Sequence, residues 1–253
     1  MTERLSKARG LVMNKKVFCV TGIDTDIGKT VVTGLIAKSL LKKGVKVITQ
    51  KIVQTGCQGI SEDIVVHRKL MDVDLYDVDR AGLTCPYLFS YPCSPHLAAK
   101  IDGGKIDADK IRKSTRLLLD QFDLVLLEGA GGLSVPLTED FTLLDYLEKE
   151  KYPLILVSGS RLGSINHTLN VLELAKWRSL EVSAIVYNCF AGEDERIERD
   201  SKLIFEQYMG KFNFPGPVIK LMHLSHYEKK GIELPDLSGV VEYQRSHAPR
   251  ETD

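Results

Sequence analysis

Hydrophobic positions along the chain follow two different periods. Apolar runs at 17–20, 124–127, 154–157 and 182–187 have the length and β-branched content of strands buried on both faces. Shorter strand signals stand at 45–50 and near 218–219. Between them, apolar residues recur at helical spacing over 31–41, 107–121, 142–151, 166–178 and 194–209, and Ser61 opens a further helix that runs to Leu70. Strand and helix alternate throughout, so the pattern predicts one doubly wound α/β domain, a mostly parallel sheet with helices on both faces. That domain is expected to span 15–241, between a flexible basic tail at 1–14 and an unstructured tail at 242–253. Residues 72–106 interrupt the alternation with turn signals, among them Tyr91-Pro92-Cys93-Ser94-Pro95-His96 and Asp102-Gly103-Gly104. They read as a long loop of the kind compact domains keep for function or mobility.

Composition narrows the class. A chain of 253 residues is long enough to bury one large core. Lys+Arg and Asp+Glu both number 34, so net charge points neither to nucleic acid nor to an anionic membrane. Five cysteines without a C-x-x-C pair argue against a disulfide scaffold or structural zinc and for a reducing cytoplasm. No apolar run approaches the length of a membrane span.

The first strand breaks into Gly22-Ile23-Asp24-Thr25-Asp26-Ile27-Gly28-Lys29-Thr30, and a helix follows at once. Strand, glycine-rich loop and helix are the setting of a phosphate-binding loop. Glycine at 28 admits a phosphate against the backbone. The amides of the helix N-terminus offer unpaired donors and a positive dipole end to an anion. Lys29 can reach β and γ phosphates, and Thr30 presents a hydroxyl to Mg²⁺. The loop is one residue longer than G-x-x-x-x-G-K-[ST], which asks for glycine where the chain has Ile23. An ordinary strand-to-helix turn is the competing reading, and the flanking elements argue against it.

Other candidates fall at the carboxyl ends of predicted strands, where α/β sheets carry their functional loops. Lys51 is either a catalytic cation or a solvated end-cap, and Thr55 follows in the same loop. Asp63 lies in a first helical turn, which favours a carboxylate in any case. Glu128 precedes Gly129-Ala130-Gly131-Gly132, where phosphate-loop enzymes keep a carboxylate near Mg²⁺; the alternative is a charged end-cap. The Gly/Ser-rich link 158–166 could receive an anion or simply turn the chain. Ser94-Pro95-His96 either lines a pocket or makes a rigid turn with one hydrogen-bonded histidine.

Taken in order over about 16–225, these motifs resemble those of the dethiobiotin synthetases, the ATP-dependent carboxylases of biotin synthesis. Gly22 to Thr30 is similar to the family's G-x-D-T-x-x-G-K-T loop, extra residue included, and Lys51 to Gly56 to its K-P-x-x-[ST]-G segment. Ser94-Pro95-His96, Glu128-Gly129-Ala130-Gly131-Gly132 and Leu162-Gly163-Ser164-Ile165-Asn166-His167 look like its S-P-H, E-G-A-G-G and L-G-x-I-N-H segments. The resemblance implies a phosphate-loop NTPase fold and a cyclo-ligase that joins CO₂ to 7,8-diaminopelargonate with ATP and Mg²⁺. It implies Lys51 and Lys29 as catalytic cations, with Thr30, Asp63 and Glu128 around the metal. ATP would be held by Asp26, Ile27, Gly28, Lys29, Thr30 and Val31, by Asp63, by Glu128, Gly129, Ala130 and Gly131, and on its adenine side by Asn188, Cys189, Met222, His223 and Leu224. Thr55 would bind the diamine, and Gly163, Ser164, Ile165 and Asn166 would reach its tail from the second subunit of a homodimer. Glu128→Gln, nearly isosteric, is expected to spare the fold.

Two positions depart from the family pattern. Ile52 replaces the proline after the lysine, which predicts a less fixed bend behind Lys51. Leu221-Met222-His223-Leu224 replaces a proline-containing turn on the adenine side, which opens base selectivity to other nucleoside triphosphates. Other classes fit less well. A partitioning ATPase would carry a second lysine at position 24, where Asp24 stands. A cobyrinate-type amidoligase needs a glutaminase domain that this length cannot hold, and a nucleotide-dependent scaffold would turn ATP over regardless of any diamine.

Overall fold

The computed structural model describes residues 16–190, 192, 194–230 and 233–242. The expected tails at 1–14 and, beyond Glu242, at 243–253 lie outside the described residues. In chain order the elements are β1 (Lys16–Gly22), α1 (Lys29–Lys42), β2 (Val47–Lys51), β3 (Gln54–Thr55), α2 (Glu62–Met71), α3 (Asp77–Arg80), β4 (Leu88–Phe89), α4 (Pro95–Ile101) and α5 (Ala108–Leu119). They continue as β5 (Leu124–Gly132), α6 (Leu143–Glu150), β6 (Leu154–Gly159), α7 (Ser164–Trp177), β7 (Val182–Asn188), α8 (Glu195–Lys211), β8 (Val218–Leu221), α9 (Leu224–Lys230) and α10 (Gly239–Glu242).

Six strands pair in parallel in the order β2-β5-β1-β6-β7-β8. Because strand side chains alternate faces, each run of apolar residues feeds two cores. Phe18, Val20, Leu124 and Leu126 pack on the face covered by Val32, Leu35, Ile36 and Leu40 of α1. Val17, Cys19, Val125 and Leu127 pack on the other, against Ile111 of α5, Leu143 of α6, Leu172 of α7 and Phe205 of α8. That is the doubly wound arrangement the periodicity predicts. The chain leaves β1 toward the β2 edge and later builds β6, β7 and β8 toward the opposite edge. Strand order therefore reverses at β1, and the carboxyl ends beside it are where such sheets bind ligands.

Helix starts show which ends are reserved. Asp107, Asp194 and Ser61 accept backbone N–H groups as caps, and Thr142 with Asp145 forms a capping box. α1 and α7 instead begin at glycines with positive φ, Gly28 at 98° and Gly163 at 94°, and no side chain caps either one. Both bare ends lie at the sheet's carboxyl edge; at α1 first-turn amides are available to an anion, whereas Ser164 N–H at the start of α7 donates to Arg161 O at 3.0 Å.

The structure corrects the long loop at 72–106, which contains α3, β4 and α4, with β4 pairing to β3 as a two-stranded ribbon. Each piece is too short to show a period. Ser94-Pro95 is a helix start, with proline at the first turn, rather than a turn alone. α9 and α10 are likewise absent from the sequence pattern, yet Leu237, Val240 and Val241 join the core of α1, and Leu237 N–H donates to Ser39 Oγ at 3.2 Å. Among the described residues no helix is long and apolar enough to cross a membrane.

Candidate active site

The extra residue in the phosphate loop has a steric cause. A Cβ on Gly22 would lie 2.6 Å from Ile27 Cγ2 and 3.2 Å from Lys29 Cδ, so the loop folds back over position 22. Ile23 meanwhile extends the strand, its N–H donating to Val157 O at 3.1 Å. Glycine is needed one residue earlier than the common pattern places it. At Gly28 the obstacle is Asn188, whose Nδ2 would stand 2.3 Å from a Cβ and donates to Ile27 O at 2.9 Å. Asn188 thus braces the loop from the end of β7. Lys29 Nζ donates to Asp24 O at 2.8 Å, curling over the loop it belongs to.

Beside this loop the ends of β2 and β5 bring opposite charges together. Lys51 and Glu128 are register partners in the sheet, and both are buried. Lys51 Nζ donates to Glu128 Oε1 at 2.7 Å, Asp63 Oδ2 at 2.6 Å and Gly129 O at 3.2 Å, so all three ammonium protons are used. Thr30 Oγ1 donates to the same Glu128 Oε1 at 3.0 Å, and His67 Nε2 lies 2.8 Å from Oε2. Asp63 is held by the start of α2, where Gln54 Oε1 accepts its N–H at 3.2 Å and also meets Ser61 Oγ.

Burial and pairing set the proton affinities. Burial alone would lower that of Lys51, but Glu128 and then Asp63 outweigh it and hold the ammonium above the ordinary lysine range. Burial would raise Glu128, yet Lys51 and the His67 hydrogen bond hold it well below the ordinary carboxylate range. Lys29 goes the other way. Burial first, and repulsion from Lys51 second, pull it down to about 8, with Glu128, Asp63 and Asp26 offsetting part of the drop.

Thr30, Asp63 and Glu128 are hard oxygen donors of the type Mg²⁺ takes; Thr30 Oγ1 donates to Glu128 Oε1, and Lys51 Nζ joins that oxygen to Asp63 Oδ2. Among the described residues no three His, Cys, Asp or Glu side chains form a metal cage.

The remaining candidates surround this cluster. Thr55 stands on the β3–β4 ribbon, paired with Phe89 and next to Gln54. Cys189 N–H donates to Leu221 O at 2.7 Å, which sets Asn188 and Cys189 beside Met222. The 222–225 segment is a held helix start: Met222 N–H donates to Tyr227 Oη at 3.0 Å, and His223 Nδ1 meets Ser225 Oγ at 2.8 Å. Gly163 to Asn166 form the bare start of α7. Among the described residues no hydrogen bond or ion pair joins them to the Lys51 cluster. Ile52 departs from expectation, because its N–H donates to Glu128 O at 2.9 Å, a bond proline cannot make, and the backbone behind Lys51 is fixed. His96 Nδ1 is buried and has no partner among the described residues, contrary to the hydrogen-bonded histidine of the turn reading.

Sequence reasoning missed His67 and Arg161. His67 falls four residues after Asp63, the spacing that shares a helix face, and that was the available signal. Arg161 approaches Asp24 Oδ2 at 3.7 Å and covers the Phe190 ring at 5.4 Å, so the link before α7 touches the phosphate loop. No pattern in that link announced it.

Comparison with known proteins gives the family. The AAA domain family matches residues 16–226. The ATP-dependent dethiobiotin synthetase BioD 2 of Pasteurella multocida is 49% identical over 209 residues, covering 83% of this chain and 98% of that protein. The ATP-dependent dethiobiotin synthetase BioD of Chlorobaculum tepidum is 53% identical, covering 83% and 88%. The chain belongs to the dethiobiotin synthetase family. It is an enzyme, a carbon–nitrogen ligase of that family. Among solved structures, the MinD cell division protein of Aquifex aeolicus aligns with TM-score 0.53 at 15% identity, over 91% of this chain and 96% of that one. The pNOB8 ParA protein aligns with TM-score 0.57 at 13% identity, over 92% and 100%. These two share the phosphate-loop NTPase fold with the dethiobiotin synthetases.

The buried pairing changes one expectation for this family member. Glu128→Gln would leave Lys51 with Asp63 as its only carboxylate and His67 without a charged acceptor. Removing one side of a buried charge pair costs on the order of 3 kcal/mol, so the variant is expected to lose stability in urea unfolding. An unchanged unfolding midpoint would restore the view of Glu128 as structurally silent.

Proposed function

We propose that the protein carries out ATP-dependent carboxylation and ring closure of 7,8-diaminopelargonate to dethiobiotin. CO₂ adds to one amine to give a carbamate, and a carbamate oxygen attacks the γ-phosphorus of ATP, releasing ADP. The second amine then attacks the carbonyl of the carbamic-phosphoric anhydride, closing the cyclic urea and expelling phosphate. Such chemistry asks the protein mainly to position reactants and neutralise charge. The observation that carries this reading is the meeting of Thr30, Lys51, Asp63 and Glu128 from four segments at the mouth of the phosphate loop.

In this reading Lys29 and the uncapped α1 amides hold the β and γ phosphates, and Lys51 meets carbamate and phosphoryl oxygens. Thr30, Asp63 and Glu128 would hold Mg²⁺, which supplies charge neutralisation at the phosphates. Asp26 to Val31 and Gly129 to Gly131 would line the phosphate path, and Asn188 with Cys189 and Met222 to Leu224 the base. Thr55 would receive the diamine. The start of α7, which makes no hydrogen bond or ion pair with the Lys51 cluster among the described residues, would serve a second copy, making a homodimer whose sites lie near the interface. The region 15–241 would act as one catalytic domain in the cytoplasm. With the adenine-side turn built as the start of α9, other nucleoside triphosphates are expected to substitute for ATP in part.

Purified protein given diaminopelargonate, bicarbonate and Mg-ATP should form dethiobiotin, with phosphate release dependent on the diamine. ATP hydrolysis indifferent to the diamine would defeat the proposal.

A further inference from the structure

His67 takes no part in the chemistry above, yet it is fully buried and touches Glu128. Its hydrogen bonds continue inward. Arg68 grips Asp79 through Nε at 2.9 Å and Nη2 at 2.8 Å, and its Nη1 donates to Thr49 Oγ1 at 2.7 Å. The Thr49 hydroxyl that accepts this bond lies 3.1 Å from His67 Nδ1. Glu128, a carboxylate, can only accept, so the ring nitrogen beside it, Nε2, carries a proton and donates to Oε2 at 2.8 Å. Contacts at both ring nitrogens hold the imidazole in one orientation.

The row divides the two oxygens of Glu128 between two jobs. Oε2 is held inward by His67, while Oε1 alone meets Thr30 and Lys51. A single turn of α2 does both parts of this, since Asp63 binds Lys51 and His67, four residues on, binds Glu128. We infer that His67 is a positioning residue that locks Glu128 so that one oxygen faces the phosphate loop, and thereby sets the strength of the divalent-cation site. The inference rests on the reading that Glu128 helps hold Mg²⁺. Hydrogen-bond partners of metal-holding carboxylates typically contribute about 10–100-fold in metal affinity when removed.

The test measures ATP affinity by calorimetry across a Mg²⁺ titration, without diamine so that nothing turns over, alongside kcat at saturating Mg²⁺. His67→Leu should shift the Mg²⁺ midpoint about 10–100-fold upward, with kcat largely recovered at saturation. His67→Gln, whose amide nitrogen reaches the place of Nε2, should stay near wild type. His67→Asn, whose amide reaches only the place of Nδ1, should behave like the leucine variant. If His67→Leu fails to fold, the contrast between Gln and Asn decides alone. Unshifted midpoints in Leu or Asn overturn the inference, as does an equal shift in Gln and Asn, which would make His67 a packing residue. A wild-type protein whose ATP affinity ignores Mg²⁺ would instead overturn the metal reading beneath it.

Discussion

Lys51→Gln should lower the single-turnover rate by roughly a hundredfold or more while changing ATP affinity far less. The ammonium is already placed: it sits at the joined ends of β2 and β5, beside Thr30 of the phosphate loop, with its charge reinforced by two carboxylates. A cation preorganised in this way stabilises developing charge without the reorganisation that water would need. On the proposed reading, ground-state nucleotide binding would depend mainly on Lys29 and the α1 amides, with which Lys51 makes no hydrogen bond among the described residues. The substitution also has a structural signature. It leaves Asp63 and Glu128 facing one another without their cation, so the variant should be less stable than wild type and regain stability on adding Mg²⁺. Lys51→Arg should not rescue, because three acceptors in a buried pocket are built around a compact ammonium and not a planar fork. Calorimetry beside rapid-quench rates separates the outcomes. Equal losses in affinity and rate would make Lys51 a binding residue, and no loss in either would return it to an end-cap.

What the sequence revealed and what it hid follow from range. Four of the six sheet strands were legible because buried parallel strands are nearly all apolar, as at 124–127; β2 and β8 gave shorter signals, and the long helices showed because their apolar stripes repeat over several turns. Gly28-Lys29-Thr30 was legible because the phosphate loop is local: strand, turn and helix are contiguous. Pieces such as α3, α10 and the β3–β4 ribbon hold too few residues to establish a period, and tertiary packing decides them. The site itself is long-range. Lys51 and Glu128 are 77 positions apart and meet only because β2 and β5 are neighbours in the sheet. Sequence alone left Lys51 open as a solvated end-cap, whereas its exposure is 6%. Ile52 likewise looked like a lost constraint until its N–H was seen bonded to Glu128 O.

Lys29→Met is expected to abolish tight ATP binding and, near neutral pH, to make the nucleotide-free protein more stable. In the folded chain Lys29 gives up its proton near pH 8, whereas an unfolded lysine does so near 10.5. Between those values the unfolded chain binds more protons, so this residue's contribution to stability rises with pH and is a full liability below 8. The shift corresponds to about 3 kcal/mol of unfavourable burial at pH 7. Methionine removes that burden and also removes the Lys29–Asp24 carbonyl bond, worth about 1 kcal/mol. The net expectation is a gain of about 2 kcal/mol at pH 7 that reverses to a loss of about 1 kcal/mol by pH ~10.5. Taking variant minus wild type cancels other groups that titrate in the same range, such as the half-buried Cys85 and Tyr152, both pushed up by desolvation. Wild-type ATP affinity should fall as pH rises above 8, because the free loop must take up a proton to bind phosphate. A stability difference that stays flat from pH 7 to pH 10 would mean that Lys29 is not strained by its burial, and that its charge is stabilised by the fold rather than held in readiness for the nucleotide.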